Sequence, residues 1–230
     1  MVGVTTIYED RRGAVFNVEI YAKNLQHMPS GQLKLEFDPS VIQMRDLKKG
    51  ELLQPFLYEE NLTRASEGEI QAAWAGASGV SGEGPLLTIE FRLLTRDAKS
   101  ALTLSNVRLF DDHPREIRPF VLSGDVKPFN GKTENRQSPT VPPTKEWTVT
   151  VSTKLARESI NRNTIFVLDQ SGNKVRTNTT LTQSGSAIKI TPAQPYPKGT
   201  YTLVITDQLR AQNGGKLNEP KRMTFTVGDQ

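Results

Sequence analysis

Apolar and polar residues alternate one by one along most of this chain, a period of two that a β-strand with one buried face satisfies and a helix does not. Phe16, Val18, Ile20 and Ala22 fall on one side of such a strand, with Asn17, Glu19 and Tyr21 on the other. Leu33, Leu35 and Phe37 alternate with Gln32, Lys34 and Glu36, and Leu87, Ile89, Phe91 and Leu93 alternate with Thr88, Glu90 and Arg92. Leu102, Leu104, Val107 and Leu109 supply a further apolar stretch. Between these runs lie turn signals: Pro29-Ser30-Gly31, Asp38-Pro39-Ser40, Lys49-Gly50 and Ser81-Gly82-Glu83-Gly84-Pro85. Helical periodicity is almost missing; residues 40–44 alone are expected to form a short helical turn, with Asp38 as N-cap and Pro39 at the first position. The chain therefore reads as all-β.

At 230 residues it sits near the size at which single cores divide. The periodicity lapses over residues 127–145, where Pro128, Asn130, Gly131, Asn135, Ser138, Pro139, Pro142 and Pro143 leave no periodic apolar face. This stretch reads as a semi-stiff linker. Alternation resumes at Trp147, Val149 and Val151, continues through Ile165 and Val167, turns at 169–173, and returns at Ile188/Ile190, Tyr201/Leu203/Ile205 and Phe225/Val227. About six or seven strands in roughly 85 residues is the signature of an immunoglobulin-like sandwich. The expected domains are thus 1–126 and 146–230, joined by 127–145.

Cysteine is absent, which removes disulfides, thiolate metal sites and a Cys nucleophile, and weakly favours export. No apolar run approaches the roughly 18 residues of a spanning helix, so no membrane span is expected. Residues 1–10 carry neither a basic nor an apolar signal segment, so no signal peptide is expected there. Charge is unevenly spread: residues 1–126 hold 14 Lys and Arg against 18 Asp and Glu, leaving 15 of the 29 basic and 7 of the 25 acidic residues to the remainder. The basic residues are scattered singly, so a solvated basic surface is the plainer reading, with attraction to anionic cell-wall polymers or membrane surfaces as a second one. No aromatic-basic stacking platform is visible, and nucleic acid is not an expected partner.

A set of ordered segments covering residues 4–126 resembles a cohesin, the module that holds dockerin-bearing enzymes on cellulosome scaffolds and occurs alone in other bacterial surface proteins. The segments are Asn24-Leu25, Gly31-Gln32-Leu33-Lys34-Leu35-Glu36-Phe37-Asp38-Pro39-Ser40-Val41-Ile42, Lys49-Gly50-Glu51-Leu52-Leu53, Ala75-Gly76-Ala77-Ser78-Gly79, Gly84-Pro85-Leu86-Leu87-Thr88-Ile89-Glu90-Phe91, and Val107 to Asp111 followed by Glu116-Ile117. The resemblance implies a nine-stranded jelly-roll β-sandwich, related to some carbohydrate-binding modules, and a dockerin-like protein partner. Family members place polar and acidic anchors for dockerin where this chain has Ser30 and Gln32, and an acidic residue where it has Gly76.

Residues 146–228 resemble the Ig-like domains of S-layer and other exported bacterial proteins. Trp147-Thr148-Val149, Thr164-Ile165-Phe166-Val167, Tyr196, Gly199-Thr200-Tyr201-Thr202-Leu203 and Phe225-Thr226-Val227 carry this likeness. It implies a spacer role and an extracellular or cell-surface location.

Catalysis is not expected, because His27 and His113 sit in no recognisable motif and no cofactor signature is present. Asp111, Asp112 and His113 are weak candidates for a divalent cation and read more simply as a solvated turn. Glu59, Glu60, Glu67 and Glu69 read as a charged connection between strands rather than as a glycosidase pair. Tyr21, Phe56, Tyr58 and Trp74 are candidates for stacking on sugar rings, Tyr21 because it falls out of phase with its strand's core set. Trp74 could equally be core, and Trp147 reads as core. The leading expectation is protein recognition through the outward residues Lys34, Glu36, Thr88, Glu90 and Arg92, in a non-catalytic surface or scaffold protein. The alternative is a carbohydrate-binding surface protein linked to polysaccharide catabolism.

Overall fold

The computed structural model describes residues 1–113, 115–133, 139–182 and 184–228. The chain divides into two compact units, Met1–Phe129 and Asn130–Gln230.

Two long strands organise the first unit, Val15–Glu36 and Glu69–Leu93. A straight strand of 22 residues would run about 70 Å, far beyond the size of a domain this small, so each must bend. The bends are written in the backbone. Pairing between the two strands shifts register four times between Ile20 and Ser30, and Asn24 and His27 adopt φ of 57° and 44°. The His27 N–H donates to Ser81 Oγ at 3.0 Å, and Gly79 lies so close to His27 that a Cβ there would stand 2.4 Å from its carbonyl carbon. Each long strand thereby serves both layers of a sandwich.

One layer pairs Val15 to Ala22 with Gly84 to Arg92, flanked by Ile42–Lys49 on one side and Val2–Val4 on the other. The opposite layer pairs Ser30 to Glu36 with Glu69 to Ala75 on one side and with Ser100–Phe110 on the other, and Leu57–Asn61 closes its edge. Val18, Ile20, Ile89 and Phe91 from the first layer meet Leu33, Leu35, Ile70, Trp74 and Leu104 from the second in one buried core. These are the inward positions of the alternating runs. The change of phase between Leu104 and Val107 is a bulge in Ser100–Phe110, where Asn106 has a φ of 49° and the pairing with Val15–Glu36 shifts register.

In the second unit, Lys221–Val227, Gly199–Ile205, Ile165–Leu168 and Lys174–Val175 form one sheet, joined by Lys132–Thr133 and Thr140–Val141. Trp147–Thr150, Ala187–Pro192 and Thr177–Leu181 form the other. Between them Tyr196, Tyr201, Phe225 and Trp147 pack as an aromatic cluster, with ring centroids 5.0 to 5.6 Å apart. The turn at 169–173 is held by Asp169, whose Oδ1 accepts the N–H of Ser171 and of Asn173, and Gly172 supplies the positive φ.

Three expectations change. The turn after Pro39 is a single one that does not extend to Met44: the N–H groups of Val41 and Ile42 both donate to Asp38 O at 3.1 Å, Asp38 Oδ1 accepts from the Ser40 N–H and hydroxyl, and strand begins at Ile42. The Asx bond to Ser40 and this one backbone turn satisfy the local donors before the chain goes over to strand. The acids at 59 and 60 lie on the strand Leu57–Asn61 rather than in a connection. Finally, part of 127–145 is sheet, since Lys132 pairs with Lys221 and Thr140 with Thr226; Asn135 and Ser138 lie outside the described residues.

Candidate partner-binding face

Alternation that sends Leu33, Leu35, Ile70, Ala72 and Trp74 inward sends Lys34, Glu36, Glu69, Gln71, Ala73 and Ala75 outward. Register then assembles rows across four strands. One row is Leu57, Ala75, Ser30 and Phe110; the next is Glu59, Ala73, Gln32 and Arg108; the third is Asn61, Gln71, Lys34 and Ser105. The first row is largely apolar, and Leu57 is 83% exposed. At the polar end, Lys34 Nζ lies 3.0 Å from Glu36 Oε1 and 3.6 Å from Glu69 Oε2, while Arg64 reaches Glu69 at 3.3 Å and Glu67 at 2.9 Å. Gln71 donates to Glu69 Oε1 at 2.7 Å and Ser105 to Glu36 Oε2 at 2.8 Å.

These bonds favour the ionised carboxylates. Glu36 is held below the usual carboxylate range by Lys34 and then by Ser105, and Glu69 by Gln71 with help from Arg64 and Lys34. Lys34 is pushed up in return, chiefly by Glu36. Such exposed pairs add little stability. Their effect is to fix where each charge points before anything binds.

The five residues expected to bind a partner do not converge. Lys34 and Glu36 stand on this face, whereas Thr88, Glu90 and Arg92 belong to the opposite layer, paired with Lys48, Asp46 and Gln43. There Arg45 Nε sits 3.6 Å from Glu90. Glu69, Arg64, Ser105 and Leu57 complete the first group. The alternation around Ile70 places Glu69 outward from sequence alone, but its meeting with Lys34 depends on register between distant segments.

The sugar-stacking candidates are also displaced. Tyr21 is only 5% exposed although it stays out of phase with Ile20 and Ala22, which join the core cluster while Tyr21 does not; its side of the strand is covered rather than open to solvent. Trp74 is 3% exposed and in phase with Ile70 and Ala72, hence core. Its ring lies over Gly31, where a Cβ would fall 2.6 Å from Cζ2. Tyr58 is half-buried, and burial, followed by Glu60 beside it, pushes its phenol's pKa far above the ordinary value. Phe56 is buried against Gly76, where a Cβ would stand 2.3 Å from the ring.

Asp111 is engaged by its own turn. Its Oδ1 accepts from the N–H groups of His113 and Arg115, and its Oδ2 lies 3.1 Å from Arg115 Nε. The Arg115 N–H foremost, and then that of His113, lower its pKa. Asp112 lies 3.5 Å from His27 Nδ1. Among the described residues no three potential ligands gather as a metal site, and no helix is long and apolar enough to cross a membrane.

Fold and face together define a class, two consecutive β-sandwich domains of which the first presents the outer sheet face described above. Residues 125–227 match the family model described as a bacterial Ig-like domain. The chain is similar to a non-cellulosomal cohesin from the hyperthermophilic archaeon Archaeoglobus fulgidus, with 22% identity and a TM-score of 0.51 over 56% of this chain and 91% of that one. That share equals the first unit, which therefore has the cohesin fold. Further likenesses are to a cohesin in a type I cohesin–dockerin complex from Clostridium thermocellum (17% identity, TM-score 0.49, 56% and 97% covered) and to the third ScaC cohesin of Acetivibrio cellulolyticus in complex with the ScaB dockerin (17%, 0.48, 56% and 99%). No curated protein sequence matches the chain.

Proposed function

We propose that the first unit is a non-catalytic protein-recognition module, and that the second is a spacer in an extracellular or cell-surface protein. The observation that supports recognition is the outer face itself, where an exposed apolar row led by Leu57 shares the sheet with charges already fixed among Lys34, Glu36 and Glu69. Interfaces are built from an apolar centre with a polar rim. A dockerin-like partner suits the cohesin fold, but it would not be held by an acid at position 76. Phe56 occupies the space any side chain there would need. The apolar row takes over as anchor, and carbohydrate stacking loses Tyr21 and Trp74 to burial.

The test is capture of secreted and wall-associated proteins on the full chain, with and without calcium, followed by titration of whatever is captured against two variants. Leu57→Asp is expected to weaken binding about tenfold or more, as loss of a central apolar anchor does. Arg92→Asp, on the opposite layer, is expected to leave it unchanged. Equal effects of the two substitutions, or no calcium-sensitive partner at all, would remove this face from the reading.

A further inference from the structure

Three short stretches at one end of the second unit lie side by side. Leu155 pairs antiparallel with Ala211, and Arg210 with Lys216. Backbone hydrogen bonds tie them: Ala156 N–H to Arg210 O at 2.9 Å, Gln212 N–H to Lys154 O at 2.9 Å, and Ala211 N–H to Gly215 O at 2.8 Å. Leu155 and Leu209 are buried in the core, and Leu217 packs against it. Side chains alternate along such stretches and match across each pair, so Lys154, Arg210, Gln212 and Lys216 share the outward side. Arg157 opens the 3-10 turn that follows, and its neighbour Glu158 offsets part of the charge.

The platform is stiff beneath these cations. Ser159 Oγ donates to Ala156 O at 2.8 Å and accepts the Arg210 N–H at 3.1 Å. Lys154 and Lys216 are exposed and Arg210 is half-buried. Among the described residues no carboxylate stands in ion-pair range of Lys154, Arg157, Arg210 or Lys216.

We propose that this surface binds a linear acidic polysaccharide, one with a carboxylate on each sugar ring. Strands about 4.8 Å apart spread Arg210 and its neighbours over about 10 Å, which suits charges recurring along a polymer better than one small anion. The arginine fork accepts a carboxylate through two parallel bonds, and the lysines act as point charges. Gln212 supplies a donor and an acceptor for sugar hydroxyls. None of these residues offers an aromatic face on which a nucleic-acid base could stack.

The full 230-residue chain is titrated into fluorescein-labelled polygalacturonate at low ionic strength. The patch variant Lys154→Gln/Arg210→Gln/Lys216→Gln is compared with Lys48→Gln/Arg96→Gln/Lys99→Gln, which removes the same charge from the first unit. The unsubstituted protein and the control are expected to bind, and more weakly as salt is added. The patch variant is expected to bind about fivefold more weakly or worse. Lys216→Glu alone, at an exposed site, is expected to weaken binding measurably and replaces the triple variant should that fail to fold. The proposal is overturned by no binding, by equal losses in patch and control variants, by an unaffected Lys216→Glu, or by single-stranded DNA displacing the polysaccharide at equal charge.

Discussion

In the first unit cations sit beside carboxylates: Arg11 with Glu9, Arg45 with Glu90, Lys48 with Asp46, Lys99 with Asp125, Arg108 with Glu116 and Arg115 with Asp111. In the second, Lys189 meets Glu146, while Lys154, Arg157, Arg210 and Lys216 meet no described carboxylate. Both units are β-sandwiches, but these two sets of surface cations differ in how their charge is met. A surface whose charges are neutralised at short range projects little field, so a partner must recognise it by shape and by its apolar row. An uncompensated surface acts at a distance and is screened by salt over about 10 Å at 0.1 M. The first favours one fitted partner, the second any polymer of the right charge density.

The comparison assumes two separately stable cores, and the largest expected effects test that. Phe91→Ala and Phe225→Ala each empty a fully buried site, one per unit, and each should cost about 3–5 kcal/mol. Scanning calorimetry should show each variant lowering one melting transition and sparing the other; a joint shift would show that the units melt as one.

A smaller effect sharpens the view of the second core. Among the described residues the buried Tyr196 hydroxyl has no hydrogen-bond partner, and burial pushes its pKa up to about 12. The folded state thus holds this proton more tightly than the unfolded chain, so stability falls as pH rises from about 10 through 12. Tyr196→Phe should raise the stability of the second unit by about 1 kcal/mol and flatten part of that alkaline loss, read by thermal melts across the range.

The smallest effect is on the acid side and belongs to the first unit. Glu9, Glu36, Asp38, Glu69 and Asp111 all have lowered pKa values, owing first to hydrogen bonds from Arg11, Lys34, Ser40, Gln71 and Arg115 respectively. Their contribution is complete above the ordinary carboxylate values and is lost as pH falls through the lowered ones. Melts between pH 5 and about pH 3 should show a modest decline in the first transition. A decline confined to the second transition would contradict the contrast in pairing.

Much of the fold was legible in the sequence, because one buried face forces period-two alternation: Leu33/Leu35, Leu87/Ile89/Phe91 and Tyr201/Leu203 lie where the pattern puts them. Tyr21 keeps the out-of-phase position that the pattern gives it, but its burial was not legible, since nothing local in the sequence marks that position as covered. Of the candidate face, outwardness was legible and neighbourhood was not. Nothing local distinguishes Lys34 from Arg92; only the course of the two long strands puts Glu69 beside the first and sends the second to the other layer. The short strands at Lys132 and Thr140 escaped notice because two residues are too few to alternate, and their place is set by Lys221–Val227.

That last pairing has a mechanical side. In the first unit Ile7–Tyr8, near the entry of the chain, runs parallel to Gly124–Lys127 at its exit, and in the second Lys132–Thr133 and Thr140–Val141 run parallel to the departing Lys221–Val227. When a chain is pulled by its ends, parallel terminal strands slide past each other, and the hydrogen bonds between them must fail together. Antiparallel ends would peel apart one bond at a time. Under tension both sandwiches therefore resist first at these ladders, and the rate of forced unfolding is set by the ladders' few hydrogen bonds.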